Sequence, residues 1–164
     1  MVDTRGQVPY RGRYADDRDI PVSLPLAGRR IVVTGAATGL GAAAVRALTT
    51  SGADVVATYH RTEPTDEGTA TWLQCDARDQ DAVGTMIDAA VSSLGGLDVL
   101  VNAAGLWQQG VPGAITAADI DFVLDTNLKT TIFTNQAAHA VMRKTGGRII
   151  NFGSSEAVMG SPIS

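Results

Sequence analysis

The sequence predicts an α/β fold built on a parallel sheet. Short β-branched runs alternate with segments whose apolar residues recur at helical spacing, a pattern typical of strands joined by crossover helices. The run at residues 97–101 is almost continuously apolar and lies between glycines, as expected of a strand buried on both faces. The composition agrees, because 18 glycines and 5% aromatic residues suit helices that pack closely on a sheet.

The chain of 164 residues is long enough for one domain with its own core, and its beginning predicts a separate leader. Residues 1–27 contain four arginines, four aspartates and three prolines without a steady apolar period, which indicates a flexible, solvated tail. Val22, Leu24 and Leu26 leave open that the end of this tail docks on a partner subunit. Residues 28–164 carry the periodic segments and form the predicted domain.

The formal net charge of −4 disfavours nucleic-acid binding, since a phosphate backbone requires a basic surface. The sequence shows no signal segment at its start and no apolar run near the roughly 20 residues that span a bilayer. Its single cysteine, Cys75, cannot form an intramolecular disulfide and has no second cysteine or clustered histidines with which to bind a metal. We therefore expect a cytoplasmic protein that acts on small molecules, with no metal, nucleic-acid or membrane partner.

The predicted first strand, residues 31–34, ends in a glycine turn that suggests a phosphate site. Gly35, Gly39 and Gly41 precede an alanine- and leucine-rich segment, which predicts a tight turn followed by a helix start. Backbone N–H groups at such a helix start can approach an anion closely, and the helix dipole favours a phosphate there. Glycines also mark ordinary turns, so this stretch alone leaves both interpretations open.

The rest of the chain continues the alternation of strands and helices. The helix after the glycine turn is predicted to end at Ser51 and to pack through one apolar face, formed by Leu40, Ala43, Ala44, Ala47 and Leu48. Further strands are predicted at residues 54–58, 71–75, 97–101 and 148–152. A second helix is predicted over 83–94, and a long third helix, capped by Thr116, from Ala117 to about Lys144. Ligands of such sheets bind beyond the carboxyl ends of the strands, where the glycine turn lies.

Four motifs resemble those of the short-chain dehydrogenase/reductase family in their order and spacing. They are TGAATGLG at residues 34–41, CDARD at 75–79, LDVLVNAAG at 97–105, and NL at 127–128 followed by GRIINFGS at 147–154. The match covers residues 28–164 and is similar to compact bacterial members such as 3-oxoacyl-carrier-protein reductases and glucose 1-dehydrogenases. It implies a three-layer Rossmann-type parallel sheet with strand order 3-2-1-4-5, truncated after the fifth strand.

The resemblance implies a dinucleotide site at the carboxyl ends of the strands. The cofactor pyrophosphate would lie against the glycine turn, at Gly35, Ala37, Thr38, Gly39, Leu40 and Gly41. Asp76 would accept a hydrogen bond from the adenine amino group, and Ala77 would touch the ring through its backbone. Asn102, Ala103 and Gly105 would lie against a ribose, although Ala103 stands where the family more often has a second asparagine.

The charge at the end of the second strand favours NADP over NAD. Enzymes that prefer NAD place a carboxylate there, which bonds the ribose 2′-hydroxyl and repels a 2′-phosphate. This chain has Tyr59 at that position, followed by His60 and Arg61, and the Arg61 guanidinium can pair with the phosphate. NAD remains the alternative cofactor if Arg61 is only a solvated loop residue.

The resemblance further implies hydride transfer between the nicotinamide and a carbonyl or a secondary alcohol. Ser154, with Ser155 as the near alternative, would polarise the substrate carbonyl. Asn127 would hold a water of the proton relay, unless it only bonds the backbone. The family's proton donor is a tyrosine with a lysine four residues later, and its expected place lies beyond Ser164. We therefore expect the N-terminal part of a longer oxidoreductase, inactive as this chain alone.

Two other interpretations accompany this one. The alternative hypothesis is a truncated, non-catalytic module that binds a nucleotide or a partner subunit. A Rossmann-like methyltransferase is disfavoured because it explains neither Asn127 nor Ser154. Family members of this type are usually tetramers, so we expect a homo-oligomer at full length. In the chain alone, the fifth strand is expected to be an unprotected edge and the long helix to lack its usual neighbour, which favours association.

Overall fold

A five-stranded parallel sheet with helices on both faces forms the core of the protein. The computed structural model describes residues 26–65, 69–111, 113–155 and 159, so most of the predicted leader lies outside the described residues. The strands are β1 (Arg30–Thr34), β2 (Asp54–Tyr59), β3 (Thr71–Gln74), β4 (Val99–Asn102) and β5 (Arg148–Asn151). The helices are α1 (Gly39–Thr50), α2 (Gln80–Leu94), α3 (Ala117–Leu124) and α4 (Thr130–Met142). The sheet order is β3-β2-β1-β4-β5 with every neighbouring pair parallel, which confirms the predicted fold class and strand order.

Alternate side chains of the inner strands enter two cores, one on each face of the sheet. On one face Val32, Val56 and Leu100 are fully buried among side chains of α2 and α4. The buried side chains of the other face are Ile31, Val33, Val55, Ala57 and Val101, which pack with Val45 of α1. The strands β1, β2 and β4 are thus covered on both sides, as predicted for the apolar run at 97–101.

The buried face of α1 differs from the predicted one. Leu40 is 65% exposed, and Ala43 and Ala47 are exposed as well, whereas Gly41 and Val45 are buried. The cause lies at the start of the helix, because a Cβ on Gly41 would overlap the carbonyl oxygen of Gly35. This close contact turns Gly41 toward the sheet, and Val45 follows one turn later on the same side. The prediction based on apolar spacing was therefore right for Ala44 and Leu48, which pack against this core, and wrong for Leu40, Ala43 and Ala47.

The predicted long helix is interrupted near its middle. The start is confirmed, because the Thr116 hydroxyl accepts a hydrogen bond from the Asp119 N–H while the Asp119 carboxylate accepts one from the Thr116 N–H. A π-helical turn (Asp125–Lys129) then separates α3 from α4. The long helical region predicted from Ala117 to about Lys144 is thus confirmed, whereas the spacing of apolar residues did not show where it takes up one extra residue.

An ion pair ties the amino ends of β1 and β4. Arg30 donates to the Asp98 carboxylate from its backbone N (3.0 Å), Nε (3.0 Å) and NH2 (2.6 Å). Its NH1 also donates to the carbonyl of Gly95, which caps α2 (2.8 Å). The Arg30 guanidinium lowers the pKa of the Asp98 carboxyl from 3.8 to about 2. One arginine therefore links β1, β4 and the end of α2 at this edge of the sheet.

Apolar surface is exposed on the side of the sheet that ends in β5. Within the part of the chain that the structure describes, β5 pairs only with β4, and Ile150 and Phe152 are 47% and 51% exposed. A second apolar face follows α3 and the first turn of α4, where five side chains are between 42% and 53% exposed: Ile120, Phe122, Leu124, Leu128 and Ile132. Among the described residues, no helix has the length and apolar character needed to cross a membrane.

Candidate functional site

The glycine turn joins β1 to α1 by close backbone contacts at the carboxyl edge of the sheet. Gly35 has a φ of +61°, and a Cβ there would lie 2.5 Å from the Cα of Ala104, in the loop after β4. The Ala36 N–H donates to the carbonyl of Thr58 in β2 (2.7 Å). The turn is therefore fixed between β2 and β4, and no side chain larger than hydrogen fits at Gly35.

The N-terminus of α1 is open, unlike those of α2 and α3. Thr38 at its N-cap makes no side-chain hydrogen bond to the first turn, and Thr38, Gly39 and Leu40 are exposed. Gly39 has a φ of +55° and faces open space, since a Cβ there would meet nothing within 4 Å. By contrast, the Asp79 carboxylate caps α2 by accepting from two backbone N–H groups. The turn therefore leaves helix N–H groups available to an anionic group, which is what a bound pyrophosphate requires.

After the end of β3, Asp76 is held by Arg78. The Asp76 carboxylate accepts hydrogen bonds from Arg78 N (3.1 Å), Nε (2.9 Å) and NH2 (2.6 Å), and His60 Nε2 lies 3.5 Å from Oδ2. The Arg78 guanidinium lowers the pKa of the Asp76 carboxyl from 3.8 to about 2. Asp76 is therefore an ionised acceptor at neutral pH. The following residue, Ala77, is half-buried.

The end of β2 lies next to this ion pair. Tyr59 is half-buried, and its carbonyl accepts a hydrogen bond from the Cys75 N–H (2.8 Å). The side-chain amide of Gln74 donates to the carbonyl of His60 (2.9 Å), while Arg61 is exposed. These contacts bring the ends of β2 and β3 together. A cationic side chain is thus exposed at the end of β2, and no carboxylate stands at Tyr59.

Asn102 is the centre of a buried polar network that joins the sheet to α4. Its side-chain nitrogen donates to the side-chain oxygens of Asn135 and Asn151, both at 2.8 Å. Its side-chain oxygen accepts from the hydroxyls of Thr134 (2.8 Å) and Thr34 (3.4 Å). Asn102 is 5% exposed, so these partners replace water around it. The network fixes where β1, β4 and β5 end relative to α4.

The π-helical turn positions Asn127 against the loop after β4. Its side chain accepts from the N–H of Leu106 (2.8 Å) and donates to the carbonyl of the same residue (3.0 Å). A Cβ on Gly105 would lie 2.8 Å from Asn127 Oδ1, so the glycine permits this approach. The Asn127 carbonyl accepts from the Thr131 hydroxyl (2.9 Å). The side chain of Asn127 is therefore bonded to backbone, which is the structural alternative raised by the sequence.

The predicted site residues occupy two parts of the carboxyl edge. Ser154 follows β5 and is exposed, as is Ser155. Ala103 and Gly105 lie in the loop after β4, whose Ala104 N–H donates to the Thr34 hydroxyl (3.3 Å). The sheet order places β5 at the opposite side of β4 from β1, so Ser154 and the glycine turn flank the end of β4. Sequence reasoning missed Arg78, Thr134, Asn135 and Asn151, of which Arg78 alone had a signal: an arginine two residues from a strand-end aspartate.

The described residues offer no group of three histidine, cysteine, aspartate or glutamate side chains suited to a metal ion. Cys75 is buried, and this burial raises the pKa of its thiol to about 11. The thiol therefore stays protonated at neutral pH and packs as a small apolar group.

The parallel sheet with this strand order, and the open glycine turn at its carboxyl edge, define a Rossmann-type α/β protein. A sequence model described as short chain dehydrogenase matches residues 29–164. The chain therefore belongs to the short chain dehydrogenase family.

Known proteins resemble the chain over most of its length. It is 36% identical over 138 residues to 2-dehydro-3-deoxy-D-gluconate 5-dehydrogenase of Escherichia coli, a match that covers 79% of this chain and 54% of the relative. Nodulation protein G of a Rhizobium species is also 36% identical, over 84% of this chain and 59% of that protein. A short chain dehydrogenase of Burkholderia cenocepacia in complex with NADP superposes with a TM-score of 0.74 at 33% identity, covering 85% of this chain and 61% of that one. The chain thus spans little more than half the length of these proteins.

Proposed function

We propose that residues 28–164 are the cofactor-binding part of an NADP(H)-dependent oxidoreductase that interconverts a carbonyl and a secondary alcohol. The observation that carries this proposal is the open N-terminus of α1, where Thr38 makes no side-chain cap and Gly39 faces open space. A dinucleotide pyrophosphate would fill this position and bind the free N–H groups of the first turn. Family membership supports a nicotinamide cofactor as the group bound there.

The cofactor would lie across the carboxyl edge of the sheet. The pyrophosphate would be surrounded by the turn residues Gly35, Ala37, Thr38, Gly39, Leu40 and Gly41. Gly35 and Gly41, where a Cβ would overlap neighbouring backbone, keep side chains away from it. Asp76 and Ala77 would receive the adenine ring, and the loop formed by Asn102, Ala103 and Gly105 a ribose. The backbone of that loop is held from both sides, by Thr34 and by Asn127.

The 2′-phosphate of NADP would lie beside Arg61. Tyr59 contributes no negative charge at the end of β2, and the Arg61 guanidinium is exposed there. A phosphate there would meet charge of the opposite sign, whereas the 2′-hydroxyl of NAD would find no carboxylate to bond. The proposal is therefore a preference for NADP over NAD.

Calorimetric titration of the 164-residue chain with NADPH and with NADH tests this preference. We expect NADPH to bind at least tenfold more tightly, which corresponds to about 1.4 kcal/mol. Replacing Arg61 with glutamate should reverse the order, while Arg143→Glu, the same charge change after the end of α4, should leave it unchanged. Equal or tighter binding of NADH by the unaltered chain would contradict the preference.

Two residues would act on the substrate. The Ser154 hydroxyl would donate a hydrogen bond to the substrate carbonyl oxygen and so polarise it. The Asn127 side chain uses one donor and one acceptor position on the Leu106 backbone, and with the remaining ones it would hold a water for proton transfer. When bound, the nicotinamide supplies or accepts the hydride. Proton donation in the family requires a tyrosine with a lysine four residues later, and none of Tyr10, Tyr14 and Tyr59 follows Ser154.

We therefore expect this chain to bind the cofactor without turning over a carbonyl substrate. NADPH oxidation by the 164-residue chain, measured across a panel of ketones and aldehydes, should stay at background. Turnover by this chain would contradict that expectation. Binding without turnover also in a longer natural form of the chain would favour the non-catalytic module instead.

Self-association of this chain is expected through the apolar face of α3 and α4. Five large side chains there are more than two-fifths exposed, an arrangement that water disfavours. A homo-oligomer would bury them. Light scattering across a range of concentrations measures the association, and replacing Leu124 and Leu128 with serine should reduce it. A monomer at every concentration would contradict this expectation.

A further inference from the structure

The carboxylate of Asp76 has most of its hydrogen-bonding capacity taken up by Arg78. An ionised carboxylate offers about four acceptor positions, two on each oxygen. Oδ1 accepts from Arg78 N at 3.1 Å and from Arg78 Nε at 2.9 Å, while Oδ2 accepts from Arg78 NH2 at 2.6 Å. One acceptor position, on Oδ2, is left for another donor.

That remaining position is accessible at the carboxyl edge of the sheet. Among the described residues, His60 also approaches this oxygen, but its Nε2 lies 3.5 Å from Oδ2, beyond the usual length of a hydrogen bond. The side chains of Asp76 and His60 are 33% and 41% exposed. An incoming hydrogen-bond donor can therefore reach Oδ2 from solvent without displacing Arg78.

We propose that Arg78 is a positioning residue, which holds the Asp76 carboxylate so that its one free acceptor position receives the exocyclic amino group of an adenine. This inference rests on the proposed function, and it names how the base of the cofactor is selected. Adenine carries an N–H donor at this position, whereas hypoxanthine carries a carbonyl oxygen. A fixed carboxylate bonds the first and repels the second.

Arg78 matters because a single carboxylate is otherwise free to turn. Without the guanidinium, both oxygens become open to water and to His60, and the carboxylate is no longer held in one orientation. Cofactor binding must then offset the entropy lost when the carboxylate is ordered, and a water can bridge the carboxylate to either base. Selection between the two bases should therefore weaken while the rest of the dinucleotide still binds.

The test compares NADP with nicotinamide hypoxanthine dinucleotide phosphate, which differs only at the base. Calorimetric titration of the 164-residue chain should show a preference for adenine of about tenfold, the size expected of one hydrogen bond to a charged group. In Arg78→Met the preference should fall to about twofold or less. Arg78→Lys should be intermediate, because an ammonium cannot hold both oxygens in a fixed plane.

The matched control is Arg30→Met. Arg30 holds Asp98 through the same three donor atoms, but at the opposite edge of the sheet. This variant should lower thermal stability and leave the preference between bases unchanged. If Arg78 had only a structural role, Arg78→Met and Arg30→Met would have similar effects on thermal stability and on the preference between bases.

The outcomes separate the two proposals. An unchanged preference for adenine in folded Arg78→Met overturns the positioning role and leaves cofactor binding intact. If Arg78→Met does not fold, Arg78→Gln provides the same comparison, since its amide donates to one oxygen only. Binding of neither dinucleotide by the unaltered chain overturns the proposed function, and the inference about Arg78 with it.

Discussion

Two aspartates at opposite edges of the sheet are held by arginines in the same way, yet the two pairs connect very different lengths of chain. Arg30 and Asp98 are 68 residues apart in sequence, whereas Asp76 and Arg78 are two apart. In both pairs the backbone N, Nε and NH2 of the arginine donate to the carboxylate, and both carboxyl pKa values fall to about 2. Identical contacts therefore have different consequences: the first pair closes a long loop between strands, and the second orders one side chain.

The comparison indicates that the pair at the amino edge of the sheet serves stability, whereas the pair at the carboxyl edge orders a side chain where we propose that a ligand binds. Arg30 also contacts the carbonyl of Gly95, and the Asp98 carbonyl accepts from the Arg148 N–H (3.0 Å). Loss of that pair disturbs α2, β1, β4 and β5 together. Loss of the Asp76 pair leaves the strand pairing untouched, because both of its members follow β3.

The largest expected effect is an exception to this difference between the two edges. The glycine turn lies at the carboxyl edge, yet its backbone is tightly packed and contributes to stability. In Gly41→Ala the added Cβ would overlap the Gly35 carbonyl oxygen, so the free energy of unfolding should fall by about 3 kcal/mol. Binding of NADPH should be lost with it. Urea denaturation measures the first and calorimetry the second.

Gly84→Ala in α2 is the matched control, because a Cβ there meets nothing within 4 Å. It should raise the free energy of unfolding by about 0.5–1 kcal/mol through the better helix propensity of alanine. Similar results for the two glycine variants would show that the contact with Gly35 is not what limits position 41.

The second effect concerns the network beneath the carboxyl edge. In Asn102→Ala the side chains of Asn135, Asn151 and Thr134 lose their shared partner, so the free energy of unfolding should fall by about 2 kcal/mol. Asn102→Asp should be at least as damaging, since a carboxylate cannot donate to the two asparagine oxygens. A loss below about 0.5 kcal/mol in urea denaturation would contradict the role of the network.

A smaller expected effect tests the comparison between the two ion pairs directly. Asp98→Asn should lower the melting temperature by a few degrees, because an amide cannot accept from all three donors of Arg30. Asp76→Asn should lower it less, because residues two apart in sequence can keep part of their pairing in the unfolded chain. Scanning calorimetry on both variants measures the difference. Equal shifts in melting temperature would show that the separation in sequence between the paired residues does not decide how much each pair contributes to stability.

The smallest expected effect is the pH dependence of the stability that the Arg30–Asp98 pair contributes. The folded-state pKa of Asp98 is about 2, below its usual value of 3.8, so its contribution to stability is complete above pH 3.8 and declines as the pH falls toward 2. Between pH 5 and pH 2 the urea midpoint of Asp98→Asn should therefore fall less than that of the unaltered chain. Parallel curves for the two proteins would show that Asp98 does not contribute in this range.

The strands and their order could be predicted because each strand shows a local apolar run and the motifs follow one another in a known order. The buried side of α1 could not be predicted, because it depends on the backbone contact between Gly41 and Gly35 rather than on apolar spacing. The network around Asn102 was missed for a related reason. Its partners lie at least 32 residues away in sequence, and none of them differs in type from an ordinary surface residue.

In the candidate site, the sequence singles out only residues that lie within a recognisable motif. The glycine turn, Asp76 and Asn127 each lie within a motif. The pairing of Asp76 with Arg78 depends on side-chain rotamers, which the motif does not specify. Whether the side chain of Asn127 holds water or backbone depends in turn on how closely the Gly105 loop approaches it.

The π-helical turn between α3 and α4 affects one contact of the helical segment and leaves another alone. Since the turn takes up one extra residue, the removal of one residue from 125–129 would close it to an ordinary α-helical turn and leave the direction of the following side chains nearly unchanged. Thr134 and Asn135 would still face Asn102. The turn that positions Asn127 against the loop after β4 would be lost, so the deletion would separate the Asn127 side chain from Leu106 and leave the polar centre of the molecule intact.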